Sequence, residues 1–139
     1  MKQLKYPSIS VDFDGTLTYW NEETYPHINP KDIRLDAIRT LIEYRKLGGK
    51  VVLFTCRTDS ALQIAINTCE DYGLVFDSVN ADLQLAIDSW REKYPNASLS
   101  PKPWTTLTID DKAWPCNTRG LDWGQIARDI LQFEEEEDE

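Results

Sequence analysis

Four short runs dense in Val, Ile, Leu, Phe and Thr, at residues 8–13, 50–55, 74–79 and 105–109, alternate with stretches whose apolar residues keep helical spacing. This alternation restricts the fold more than any other feature of the chain. Strands separated by whole helices do not close as hairpins; they pair in parallel through right-handed crossovers, which predicts a doubly wound, mainly parallel α/β sheet. With 139 residues, 41% of them hydrophobic, the chain has enough apolar material for one buried core. A single domain is expected over 1–132.

Between the first two runs, Ile33, Ala37, Ile38, Leu41 and Tyr44 share one helical face, with Asn29 as N-cap, Pro30 at the first helical position and Gly48 as the stop. A second helix is expected over 59–72, burying Leu62, Ala65, Ile66 and Cys69 and ending at Gly73. A third, over 82–94, buries Leu83, Ala86, Ile87 and Trp90 and stops before Pro95, because proline disfavours the α region in the residue before it. The last starts at Asp122, with Gln125 placed to complete a capping box, and buries Ile126, Ala127, Ile130 and Leu131. The acidic run at 133–139 reads as a solvated, disordered tail.

A net charge of −9 and a pI near 4.6 repel polyanions on average, which disfavours nucleic acid and an anionic membrane as partners. Three cysteines (Cys56, Cys69 and Cys116) lack Cys-x-x-Cys spacing and read as reduced thiols. With no apolar run of signal-peptide or membrane-span length, a cytoplasmic protein is expected, and the Asn96 sequon is then incidental.

In the sequence Val11-Asp12-Phe13-Asp14-Gly15-Thr16, strand alternation puts Asp12 and Asp14 on one side, and Gly15 permits a sharp turn. Two crowded carboxylates either raise a pKa or bind a cation, and both outcomes serve phosphoryl transfer. The second run ends Thr55-Cys56-Arg57, a hydroxyl and backbone N–H groups where a strand opens onto a helix; this is either a phosphate cradle or a helix cap. The fourth run ends Asp110-Asp111-Lys112, with Lys102 shortly before it. Carboxylate oxygens suit a hard cation such as Mg²⁺, although an acidic pair also occurs in plain surface turns.

The order of these elements resembles the haloacid dehalogenase superfamily, over about residues 9–113. The resemblance implies that Asp12 is the nucleophile and that Asp14 protonates the leaving group and then deprotonates the water. It further implies that Thr55 and the Cys56 amide bind the phosphoryl oxygens and that Lys102 stabilises the transferring group. The metal set would be Asp12, the Asp14 backbone carbonyl and Asp110, with Asp111 orienting metal waters or Lys102. Lys93 and Lys112 compete with Lys102 for the lysine role. An aspartate at position 14 fits phosphatases of that superfamily, since a leaving alkoxide needs a proton.

The segments 17–50 and 58–101 are filled by the predicted elements, leaving no room for a cap domain. The site is expected to be open, with residues 17–27 as a small flap, and to take a phosphorylated substrate; a second copy of the chain covering the site is a further partner class. Tyr19, Trp20 and Tyr25 on the flap, and Trp104 and Trp114 around the acidic pair, either contact substrate or pack locally. Arg57 is assigned to substrate binding, and Arg119 to a second anionic group or to the surface. Two other functions stay open: a catalytically silent interaction module of the same fold, and a nucleic-acid end phosphatase, which the charge disfavours.

Overall fold

The protein is described by a computed structural model covering residues 2–98, 102–113 and 116–135. Its elements in chain order are β1 (Lys2–Leu4), β2 (Ser8–Val11), α1 (Leu35–Lys46), β3 (Lys50–Leu53), α2 (Asp59–Asp71), β4 (Ser78–Val79), α3 (Gln84–Lys93), β5 (Leu107–Ile109), α4 (Cys116–Arg119), α5 (Trp123–Ile130) and β6 (Phe133–Glu135). The fold is α/β and Rossmann-like. Its central sheet has four parallel strands in the order β4, β3, β2, β5. Ile9 of β2 is paired with Val51 on one side and Leu107 on the other, and these two central strands are the apolar spine of the core.

The strand order reverses between β2 and β5. After β2 the chain adds β3 and then β4 on one edge, and returns to place β5 on the other. A switch of this kind opens a crevice at the carboxyl ends of the two strands, where ligands of parallel α/β sheets bind. Asp12 follows one of these strands and Asp110 the other.

All four strands are shorter than their apolar runs, with single backbone hydrogen bonds continuing beyond the ladders. The Asp12 N–H donates to the Ile109 carbonyl at 3.0 Å and the Phe54 N–H to the Val11 carbonyl at 2.9 Å, so the loops after β2, β3 and β5 leave the sheet side by side. Helix α1 packs on β3 and α5, bringing Ile38, Leu41 and Tyr44 into one core with Trp123 and Ile130.

Several elements differ from expectation. Asn29 does cap a helix, accepting from the Lys31 N–H at 3.1 Å, but the helix is the single 3₁₀ turn Pro30–Asp32. Ile33 then becomes extended and bridges to Thr18, and the Arg34 N–H bonds the Leu17 carbonyl. That pairing delays α1 to Leu35. Helix α3 contributes no fully buried side chain; Leu83, Ala86 and Ile87 are half-buried and Trp90 is exposed. Asp122 accepts from the Gln125 N–H at 3.1 Å, while the Gln125 side chain bonds Asp129 and Arg128 instead of closing a capping box.

The expectation of a disordered tail from 133 fails for its first three residues. Phe133–Glu135 pair antiparallel with Lys2–Leu4, placing Leu4 opposite Phe133 and Lys2 opposite Glu135. Backbone hydrogen bonds and one apolar contact outweigh the acidic composition there. Residues 136–139, and Trp114, lie outside the described residues. No helix among the described residues is long and apolar enough to cross a membrane.

Candidate metal and phosphoryl-transfer site

The site begins where β2 ends. Val11 and Phe13 are buried, so the intervening Asp12 projects the other way, into the crevice beside β5. Gly15 then turns the chain with φ of +79°, and a Cβ at this position would collide with the Asp111 carboxylate. Glycine is required here on both counts, because the loops after β2 and β5 touch. Thr16 ties them together: its hydroxyl donates to an Asp12 oxygen at 3.4 Å and accepts from the Asp111 N–H at 3.1 Å. The buried Trp123 indole N–H holds the Thr16 carbonyl at 3.0 Å, so α5 braces the loop from behind.

This bracing brings Asp12, Asp110 and Asp111 together, with one carboxylate oxygen of each within 4.8 Å of the others. The Asp12 carboxyl is pushed up to about 7, first by burial and then by the charges of Asp110 and Asp111, against a backbone hydrogen bond that lowers it. Asp111 is raised for the same kind of reason, burial leading and Asp110 adding to it. One Asp111 oxygen, Oδ1, is buried with no hydrogen-bond partner. Three carboxylates facing one point, with an orphaned acceptor among them, are a donor set that could hold a cation. All the donors are hard oxygens, which fits Mg²⁺.

Asp14 has a different environment from the one expected. Its carboxylate is not in the cluster; both oxygens accept from Arg57, Oδ2 from Nε and Oδ1 from Nη2, each at 2.8 Å. Arg57, expected on the substrate or at the surface, is only 3% exposed. Its Nη1 donates to the carbonyls of Pro26 and Ala61 at 2.9 and 3.0 Å, and its guanidinium lies 5.0 Å from the Phe13 ring centre and 4.8 Å from that of Tyr25. Direct substrate binding by Arg57 is therefore corrected to an internal role. The flap is held in the same way: Tyr25 packs on Arg57 and meets Trp20 with ring centres 5.6 Å apart, while Tyr19 and Trp20 remain exposed.

After β3, the Thr55 hydroxyl accepts from the Arg57 N–H at 3.2 Å and the Thr55 N–H donates to the Asn80 side chain at 2.8 Å. The hydroxyl proton of Thr55 has no acceptor among these bonds and Cys56 is exposed, so both stay phosphate-binding candidates. Asn80 was not anticipated. It stands directly after β4 with φ of +49°, a conformation asparagine tolerates, and an Asn ending a short apolar strand is the signal that would have found it.

The three lysines separate. Lys112 follows the acidic pair, and its charge acts on Asp111, opposing the upward shift. Lys102 and Lys93 both line a groove with Asn80, Ile87, Trp90 and Trp104, beside α3. Arg119 is exposed at the end of α4. Cys69 is buried, and burial pushes its thiol up to about 12, so it is an inert core group.

No protein-family model and no curated protein sequence matches this chain. A solved structure shares the fold. A conserved protein from Bacteroides thetaiotaomicron is similar at a TM-score of 0.69, with 29% identity, over 89% of this chain and 88% of that one.

Proposed function

We propose that this chain is a magnesium-dependent phosphomonoester hydrolase of the haloacid dehalogenase type, a capless, doubly wound and cytoplasmic member acting through an aspartyl-phosphate. The observation that carries the reading is the carboxylate cluster of Asp12, Asp110 and Asp111 at the switch point of the sheet, with a buried, unpartnered oxygen inside it.

In this reading a carboxylate oxygen of Asp12 attacks phosphorus, the bond from phosphorus to the leaving oxygen breaks, and Asp14 gives that oxygen a proton. Water then attacks the phosphorus of phospho-Asp12. Asp14 takes the water's proton, the bond to Asp12 breaks, and inorganic phosphate leaves, with Asp12 a free carboxylate and Asp14 protonated again. Thr55 and the Cys56 amide hold the phosphoryl oxygens, and a lysine, Lys102 or Lys112, adds positive charge. Asp12, Asp110 and Asp111 would hold Mg²⁺, which supplies the charge neutralisation that keeps Asp12 an anionic nucleophile and shields the incoming phosphate. To act as acid and base, Asp14 must first release the Arg57 guanidinium.

The test is turnover of para-nitrophenyl phosphate. Activity should require Mg²⁺, stop in EDTA, and vanish in Asp12→Asn with the fold intact. Turnover near wild type in that variant refutes the nucleophile. A second reading, a catalytically silent module that binds a cation, is favoured by the Arg57–Asp14 pair, which ties up the expected acid. Mg²⁺ binding by calorimetry with no turnover of any phosphomonoester would select it.

A further inference from the structure

On the phosphatase reading, we propose that Arg57 is the positioning residue for Asp14 and the link through which the flap at 17–27 and that carboxylate move together. Arg57 is buried, and its side-chain bonds go to three separate segments. Nε and Nη2 hold Asp14 in the loop after β2, and Nη1 holds Pro26 in the flap and Ala61 at the start of α2. Phe13 from the first of these segments and Tyr25 from the second lie near the same guanidinium.

A planar fork fixes both oxygens of a carboxylate in one orientation, which a lysine ammonium cannot do. Moving the flap takes the Pro26 carbonyl and the Tyr25 ring away from the guanidinium. Moving Asp14 leaves buried guanidinium donors without acceptors, and unmade bonds of this kind are costly. Each motion is therefore easier once the other has occurred. Asp14 is held while the flap is down and becomes available to reacting atoms as the flap lifts.

Hydrogen exchange of the flap amides tests the link without requiring turnover. The Tyr25 and His27 N–H groups are hydrogen-bonded inside the flap, to Asn21 and Thr24, and are natural reporters. Asp14→Asn weakens a contact on the far side of Arg57 and should speed exchange at Tyr25 and His27 by roughly tenfold, while α1 and β3 stay at wild-type rates. Unchanged flap exchange, or an equal rise across the whole chain, overturns the proposal.

A kinetic arm separates positioning from mere support. Arg57→Lys loosens the hold on Asp14 and should raise kcat for an alkyl phosphate with little change in KM, whereas adding it to Asp14→Asn should change nothing. A fall in kcat in the single variant, or the same change in both backgrounds, shows that Arg57 acts independently of releasing Asp14 and contradicts the positioning role. If Arg57→Lys does not fold, exchange in Asp14→Asn decides alone. If the wild type turns over no phosphomonoester, the phosphatase reading falls and the exchange result still settles the mechanical link.

Discussion

Asp12 and Asp14 stand two residues apart in one loop and meet opposite electrostatic environments. Asp12 faces Asp110 and Asp111, and burial together with their charges raises it to about 7. Asp14 faces Arg57, with two bonds of 2.8 Å, and its counter-charge is built into the chain. Asp12 is crowded by like charges, whereas Asp14 is neutralised within the chain. The difference shows how one short loop sets two neighbouring carboxylates in opposite fields.

Breaking the internal pair should have the largest effect on stability. Arg57→Ala leaves Asp14 without its guanidinium partner and removes the bonds to the Pro26 and Ala61 carbonyls, and should cost about 3 kcal/mol, read from the denaturant midpoint. A loss under about 1 kcal/mol would mean that the pair behaves as a surface contact. At the other site, Asp111→Asn removes one charge and should weaken Mg²⁺ affinity roughly 10–100-fold in a calorimetric titration. Unchanged affinity would remove Asp111 from the metal set.

The pH dependence sharpens the contrast further. The Asp12 carboxyl binds its proton more tightly in the folded chain than at its ordinary 3.8, so its contribution to stability is full below 3.8 and is lost as pH rises through about 7. Asp111, also raised, acts in the same direction. Without Mg²⁺ the melting temperature should therefore fall between about pH 4 and pH 7, and Mg²⁺ should restore it at the upper end. Asp77 behaves oppositely: burial raises its carboxyl but is outweighed by Arg45 and by the Val51 N–H, and its net lowering places its titration below 3.8, outside this window. A melting temperature that is flat with pH in the absence of metal would contradict the strained cluster. The smallest effect is expected from Asp36→Asn, which breaks an exposed pair with Arg34 and should cost about 0.5 kcal/mol in the same denaturant measurement.

What was legible in the sequence follows the range of the interactions involved. Asp12, Gly15 and Asp110 could be read because each is fixed locally, by a strand end or a turn, and the parallel order of the strands follows from the helices between them. Arg57 was misread because its ion pair joins residues 43 apart, and only the packing of the flap on α2 buries it. The β1–β6 pairing escaped for the same reason: two three-residue strands at opposite ends of the chain carry almost no periodicity. Asn29 was a correct cap assigned to the wrong helix, since the bridge from Ile33 to Thr18 is a tertiary contact. Trp123, which braces the loop after β2 through Thr16, is an unremarkable aromatic until the crevice behind it is seen.

The central claim is that Asp12, and no other side chain, receives the phosphoryl group. The direct measurement is mass spectrometry of Asp14→Asn after reaction with para-nitrophenyl phosphate and Mg²⁺, because loss of the water-activating carboxylate should let the intermediate accumulate. The account predicts one acid-stable, base-labile phosphate, on the peptide containing Asp12, absent when Asp12 is also changed to Asn. Phosphate on another residue, or sustained turnover by Asp14→Asn with no phosphorylated chain, would contradict it.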